Sequence, residues 1–268
     1  MTVALTIAAA APVQARASGF RRDVVSVAGR AIRAVPREPE FLLPAIFVPV
    51  FFYLVNVGAL ENVAGRAGVG DFRAFQLPVA IIFAVTGISR ASALVTDIQS
   101  GYFDRLLMTP IRRLALLLGL MVADFAVVLA LEVPVIGLGF AFGVGFDTGL
   151  LGIVVFILMG AAWGLAFTGF PYAIALKTGN PAAVNSSFIL FFPFAFLTTA
   201  FLPKEALSGW LSTFAEFNPV TYLLSGMRSV ISDWDAGSML EGFAAIGGVG
   251  VLSMTLALLA LRGRVRRG

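Results

Sequence analysis

Residues 114–142 read LALLLGLMVADFAVVLALEVPVIGLGFAF, an apolar run of 29 residues interrupted by two carboxylates, Asp124 and Glu132. A helix of this length exceeds the roughly 30 Å hydrocarbon core of a bilayer. The run shows no period-two alternation, which excludes a strand of a membrane barrel. Backbone crossing lipid must satisfy its own hydrogen bonds, so the run reads as a transmembrane helix. Working outward, the same reading applies to Phe41–Leu60, Phe75–Val95, Leu150–Leu176, Ser186–Leu202 and Phe243–Leu261. The composition agrees. Of the 268 residues 59% are hydrophobic and 13% charged, with a mean hydropathy of +0.94, whereas about a quarter of a soluble domain is charged. The fold class is an all-α polytopic membrane protein with six transmembrane helices.

The chain contains no Cys and no His. That removes disulfides, thiolate and imidazole metal sites and every His-dependent triad, so neither a catalytic site nor a metal site is expected. An even number of spans puts both termini on one side. That side comprises residues 1–40, 96–113, 177–185 and 262–268 and, with Arg90 close to it, holds fifteen of the nineteen Lys and Arg. The other side holds Arg66, Arg73, Lys204 and Arg228. The excess of positive charge places both termini in the cytoplasm of a plasma (inner) membrane protein. The pI near 10 follows from this sidedness; the basic residues form no groove-sized patch, and no nucleic-acid partner is expected.

Residues 1–19 are Ala-rich but have no basic start, so they read as a flexible tail and not as a secretory signal. From Phe20 to Val35 the apolar residues Val24, Val27, Ala28, Ala31, Ile32 and Val35 recur at helical spacing, with Arg21, Arg22, Arg30 and Arg33 on the remaining arc. This is an amphipathic helix suited to lie in the inner interface, among membrane lipids. Pro36 and Arg37-Glu38-Pro39 end it and turn the chain into the first span.

The inner connection from Thr96 to Arg113 mixes Asp97, Asp104 and Arg105 with Tyr102, Phe103, Leu106, Leu107 and Met108, and Pro110 closes it. Phe103, Leu106 and Leu107, three and four residues apart, form one side of a short helix. Two readings stand: a surface docking into a hydrophobic groove of a cytosolic partner, or a helix folded back on the inner leaflet. On the outer side, residues 203–242 are too many and too apolar for an unstructured loop. Asn218-Pro219 is a capped helix start followed by Val220, Tyr222, Leu223, Leu224, Met227 and Ile231, with Arg228 its one strong charge. That helix is expected to lie in or dip into the outer interface, anchored by Lys204, Glu205 and Trp210. The fifth span is short and contains Pro193 within Phe191-Phe192-Pro193-Phe194, a signature of a broken crossing or of a packing kink. Asp124 and Glu132 lie about 12 Å apart along one helix. Carboxylates at this depth are expensive and face the bundle interior, either as functional groups or as a structural pair.

No Gly-x-x-x-x-Gly-Lys-Ser/Thr occurs, so this chain has no phosphate loop of that kind. With Asp97, Gly101, Leu106-Leu107 and Thr109-Pro110, the inner connection resembles the loop between the second and third spans of ABC-2 type export permeases. The stretch with Phe201-Leu202-Pro203, Trp210-Leu211, Asn218-Pro219-Val220-Thr221-Tyr222 and Met227-Arg228 resembles that family's second signature. Tyr102 stands where the family usually has Thr. The resemblance implies a half-transporter: two permease copies, identical or not, with two copies of a cytosolic ATPase that binds the ATP and Mg. Residues 20–37 would be the connecting helix and Gly101–Thr109 the coupling helix, with Asp97, Gly101, Phe103, Asp104, Arg105, Leu106, Leu107 and Thr109 meeting the ATPase. Phe191, Pro193, Phe194, Asn218, Pro219 and Arg228, together with Asp124 and Glu132, would belong to the translocation path or its gate. Phe-rich spans poor in hydroxyl and amide groups favour hydrophobic or amphiphilic cargo such as a drug, antibiotic or lipid. Glycan export fits the same frame. A proton-coupled secondary transporter using Asp124 and Glu132 as a relay would require internal symmetry between halves, and none is evident.

Overall fold

The structure is a computed structural model that describes residues 19–66, 68–86, 88–108 and 112–265; within these, the side chains of Pro39, Glu40, Phe41, Asp104, Leu107, Arg113, Phe188, Leu190 and Val265 are left undescribed. The tail reading falls outside this range except at Gly19, and Thr109 and Pro110 also lie outside it. Among the described residues every regular element is helical. The order is α1 (Phe20–Ala34), α2 (Pro39–Arg66), α3 (Phe72–Val85), α4 (Ala91–Gln99), α5 (Tyr102–Leu107), α6 (Arg113–Ala141), α7 (Gly149–Thr178), α8 (Pro181–Ser186), α9 (Phe191–Phe196), α10 (Trp210–Phe217), α11 (Pro219–Ser232) and α12 (Ala236–Val265). Four of them, α2, α6, α7 and α12, are long and apolar enough to cross a membrane. The central pair α6 and α7 is the most buried, while α2 and α12 show most of their surface to the outside.

Two expected spans are not single helices. Phe75–Val95, read as one run, is α3 and α4 separated by an irregular stretch: α3 ends at Val85 and α4 restarts at Ala91. The restart is stabilised from outside the segment by Asp124 Oδ1 on α6, which accepts the Arg90 N–H at 2.7 Å, and locally by Ser89 Oγ, which accepts the Ala91 N–H at 3.1 Å. Donors at a helix start have no partner in their own helix, and these acceptors supply it. Ser186–Leu202 is likewise broken into the end of α8, a 3₁₀ turn at Ser187–Leu190 and α9, after which residues 197–203 have no regular helix. Helix α11 starts at the expected cap, with Asn218 Oδ1 accepting the Val220 N–H at 3.0 Å and Pro219 in the first turn. It does not lie on the surface of the bundle. Leu223, Leu224, Met227 and Val230 are fully buried, in contact with α12, α7 and α3.

Small residues set the closest crossings. Gly160 and Gly164 of α7 pack on α6 and α3, where an added Cβ at Gly164 would meet Val128 and Val85. Gly143, four residues after Gly139, makes no such crossing and sits in a turn at φ +86° with no close neighbour. The tightest contact with backbone joins α7 to α12: a Cβ on Gly169 would stand 2.5 Å from the Ser253 carbonyl carbon, and Ser253 Oγ donates to the Ala166 carbonyl. Backbone cannot retreat as a side-chain tip can. Gly169→Ala is therefore expected to destabilise the detergent-solubilised protein by about 1–3 kcal/mol, read as a lowered unfolding temperature. Gly247→Ala, in open space on α12, should leave that temperature unchanged or raise it slightly.

Candidate functional site

At the arginine-rich end, α1, α4 and α5 form a platform with the start of α6 and the ends of α7 and α12. Helix α1 buries Val27, Ala28 and Ala31, and Gly119 of α6 meets Val27 so closely that a Cβ there would fall 2.6 Å from it. Arg30 crosses to α4, pairing with Asp97 at 2.7 Å, and its guanidinium lies 4.9 Å from the centroid of the Tyr102 ring. The hydrogen bond and charge of Asp97 hold the Arg30 pKa above its usual value. Gly101 makes the turn from α4 to α5 at φ +69°, a conformation that favours glycine. Gln99 Nε2 donates to the Gly179 carbonyl at 3.0 Å, tying α4 to the end of α7.

The register of α5 differs from the sequence reading. Phe103, expected on the partner-facing side with Leu106 and Leu107, is 3% exposed and packs into the chain's own cluster with Val27, Leu94, Ile98 and Leu261. Leu106 is half-buried against the same cluster. A six-residue helix beside an apolar core turns its longest apolar edge inward, so the outward residues are Tyr102, Arg105 and Met108, the last 80% exposed. Tyr102 and Met108, noted in the sequence among the apolar residues of this connection, were not assigned to the docking face. Their spacing from Arg105, three residues on each side, was the available signal. The side chains of Asp104 and Leu107 lie outside the described set.

Above this platform is a buried polar node. Asp124 is fully buried and accepts on both oxygens, from the Arg90 N–H and from the Tyr172 hydroxyl of α7 at 2.6 Å. The Arg90 guanidinium, itself buried, makes a two-pronged pair with Glu38 at 2.6 and 2.9 Å. The entry of α2, the restart of α4, α6 at Asp124 and the last third of α7 thus meet at two adjacent side chains. Glu132 stands apart. It is fully buried, neither oxygen has a hydrogen-bond partner among the described residues, and Oε1 lies where a Cβ on Gly160 would be 2.5 Å away. Between the two carboxyls Val128 packs against Gly164, next to Val85. The neighbouring residues Trp163 and Thr86 share a buried hydrogen bond of 2.9 Å at this level, and among the described residues no hydrogen bond joins Asp124 to Glu132.

At the opposite end, three side chains hold the irregular stretch after α9. Asn218 Nδ2 donates to the Phe194 and Leu197 carbonyls at 2.7 and 2.8 Å. Arg228 donates to the Thr199 carbonyl at 2.9 Å and to the Phe75 carbonyl at 3.1 Å, with its guanidinium 3.4 Å from the Phe75 ring centroid. Gln76 of α3, unremarked in the sequence, donates to the Ala200 carbonyl at 2.9 Å. Freed carbonyls at this depth need such donors. Asn218 and Arg228 therefore converge on one element, while Pro219 sits in the first turn of α11. Phe191 is buried against Phe83 and Phe167, whereas Pro193 and Phe194 face away from the bundle. Beside them Phe52, Phe83, Phe196 and Phe201 form a continuous aromatic cluster, with centroids 4.6–6.4 Å apart.

Comparison with known proteins places this arrangement. The family model of the ABC-2 type transporter matches residues 22–232. The chain is 27% identical over 206 residues to the daunorubicin resistance ABC transporter permease protein DrrB1 of Streptomyces coeruleorubidus, covering 74% of this chain and 71% of that protein. It is 24% identical over 194 residues to the probable doxorubicin resistance ABC transporter permease protein DrrC of Mycobacterium tuberculosis, covering 72% of this chain and 70% of that one. The match runs from α1 to the last turn of α11 and so takes in the platform, the node and the stretch held by Asn218 and Arg228; this multi-pass membrane permease belongs to the ABC-2 type transporter family.

Proposed function

We propose that the chain is the transmembrane subunit of an ATP-driven exporter. It crosses the membrane six times, counting α3–α4 and α8–α9 as the second and fifth crossings. Both termini are cytoplasmic, and the subunit works as a pair of permease copies with two cytosolic ATPase subunits that bind ATP and Mg. The observation that supports this reading best is the α4–α5 element. It ends in an outward face of Tyr102, Arg105 and Met108 while Phe103 and the Arg30–Asp97 pair fix it to the bundle, so a push on α5 reaches α1 and the node together. An exposed methionine beside an arginine suits a partner groove with an acidic rim. The cargo is a hydrophobic or amphiphilic compound. The aromatic cluster around Phe83 and Phe196 offers large flat surfaces to such molecules, and the two relatives carry daunorubicin and doxorubicin resistance in their names.

The test is co-purification and coupled activity. With Arg105→Glu and Met108→Glu combined, the membrane-inserted permease should retain its own thermal unfolding temperature but lose the ATPase subunit on affinity purification. ATP-dependent export of a fluorescent cationic amphiphile should fall roughly tenfold or more, as expected when about 1.4 kcal/mol or more of a contact patch is lost. Retention of the ATPase by the double variant, or ATP-independent export by the permease alone in liposomes under a proton gradient, would overturn the proposal.

A further inference from the structure

Two guanidinium groups meet neighbouring rings of α5. Arg30 of α1 lies over Tyr102 and has Asp97 as its counter-charge. On the next residue, Phe103, the ring centroid is 5.9 Å from the Arg264 guanidinium of α12, within range of a cation–π attraction. No carboxylate pairs with Arg264 among the described residues, and its buried Nε has no acceptor there. The turn that ends α7 is beside it: a Cβ on Gly179 would stand 4.0 Å from an Arg264 terminal nitrogen and 3.8 Å from the Ile98 Cγ2 of α4. Leu261, one turn earlier on α12, packs in the same cluster as Phe103. The end of α12 is therefore part of the seat of α5. From there α12 runs to the opposite end of the bundle with no proline inside it. Midway, Ser253 is locked on α7 by its close approach to Gly169 and its bond to the Ala166 carbonyl. Farther on, α12 meets α11 backbone to backbone, where a Cβ on Gly226 would stand 2.8 Å from the Ser238 carbonyl oxygen and 3.4 Å from the Gly242 Cα. Gly226 is two residues from Arg228, which holds the Thr199 and Phe75 carbonyls.

We infer that α12 is a lever between the two ends of the bundle, and that Arg264 is the positioning residue joining it to α5. Ser253 on Gly169 is the pivot, and Gly242 on Gly226 passes the movement to α11 and so to residues 197–203. That an ATPase supplies the push rests on the proposed function; the lever itself does not. Arg264 and Gly242 are about 33 Å apart along one helix, with Ser253 halfway between them. Close-packed interiors deform little, so contacts made by backbone pass a displacement on. The contact at α5 is of a different kind. A leucine at position 264 would pack on Phe103 without burying a donor that lacks an acceptor, a costly arrangement. Attraction of a cation to a ring face survives a sliding movement that would break a hydrogen bond. Helix α5 can then move and stay attached to α12.

Hydrogen exchange on the isolated permease in nanodiscs tests the lever without any ATPase. Arg264→Gln should speed exchange in α5 by roughly threefold. At the far end of α12 it should also change exchange in residues 197–203 and the first turns of α11 by roughly twofold or more. Arg264→Lys keeps a cation over the ring and should retain most of the wild-type protection at both ends. Phe103→Leu should act at the far end as Arg264→Gln does, and the two combined should add little to either alone. A change confined to α5 and the last turn of α12, as a local prop would give, overturns the inference, and so does unaltered exchange. In the reconstituted complex, Arg264→Gln should keep the ATPase on co-purification and hold ATP hydrolysis within about twofold, while export per ATP falls roughly fivefold. Export per ATP equal to that of the wild type overturns the inference. A wild-type permease that binds no ATPase instead refutes the proposed transport function, and exchange at residues 197–203 still decides the lever.

Discussion

Asp124→Ala is expected to destabilise the solubilised permease by about 3–5 kcal/mol and to lower its unfolding temperature more than any substitution at the Asp97–Arg30 pair. Two donors, one from the start of α4 and one from α7, end on this one carboxyl, at 2.7 and 2.6 Å. The carboxyl and the Tyr172 side chain are fully buried and Arg90 is 5% exposed. Truncation strands the Arg90 N–H and the Tyr172 hydroxyl in an apolar surround, and a buried donor without an acceptor costs more than the bond contributed when made. The exposed Arg30–Asp97 pair has solvent to fall back on and belongs at the low end of ion-pair energies.

A graded series separates the contributions at Asp124. Tyr172→Phe removes one bond and leaves Asp124 with the Arg90 N–H, for a loss of about 1–2 kcal/mol. Asp124→Asn keeps the shape but turns an amide N–H₂ toward one of the two donors, so its stability should fall between those of the Tyr172→Phe and Asp124→Ala variants. Asp124→Ala combined with Tyr172→Phe should lose less than the sum of the two single changes, since both act on the same bond. Unfolding temperatures measured on the four variants in one detergent decide the matter. If Asp124→Ala unfolds with the wild type, the break before α4 is held by something other than this carboxyl.

Long elements were legible in the sequence because each carries its own cause. Helices α6 and α7 are apolar over more than a bilayer thickness, and that property is local. The break between α3 and α4 was only half legible: Thr86-Gly87-Ile88-Ser89-Arg90 interrupts the apolar run where the helix ends, but the acceptor for the Arg90 N–H is 34 residues away on α6. Pro193 and the shortness of the fifth span did signal a broken crossing. The donors that satisfy it came from three places, and only Asn218 and Arg228 drew notice. Gln76 was missed because a neutral amide barely lowers the hydropathy of the surrounding run, although its hydrogen bond to the Ala200 carbonyl spans 124 positions. Glu38 read only as part of the turn into the first span; its pairing with Arg90 depends on how α2 and α4 meet. For α5 the difficulty is register. Phe103 and Tyr102 are neighbours on a six-residue helix, and which of them turns inward is set by the pocket among Val27, Leu94 and Leu261, not by the pattern of the helix itself.

Glu132→Met is expected to raise the unfolding temperature of the isolated permease, the opposite sign to the change at Asp124 although both are buried carboxyls on one helix. Neither Glu132 oxygen has a partner among the described residues, and its neighbours are Ile81 of α3 and the backbone of α7 at Gly160. Each unpaired buried oxygen costs about 1–3 kcal/mol. A methionine of similar length, with torsions free enough to fill the same space, removes that cost without opening a cavity. The net gain should be about 2–4 kcal/mol, whereas Glu132→Gln, which keeps two polar atoms in the same place, should change stability little. The crossing supplies an internal check. Gly160→Ala puts a Cβ 2.5 Å from Oε1 and 2.8 Å from the Ile81 Cγ2, so in the wild type it should lower the unfolding temperature; after Glu132→Ala the carboxyl half of that conflict is gone and the loss should shrink. A carboxyl whose removal stabilises the fold is not there to hold the fold together. Export measured on Glu132→Met alongside its unfolding temperature then separates two cases. A more stable, less active permease identifies Glu132 as a group that acquires its partner only when α3, α6 and α7 move apart during transport. A lowered unfolding temperature for Glu132→Met would mean that the carboxyl is already satisfied in the resting bundle, and the argument for a second arrangement of these helices would lose its ground.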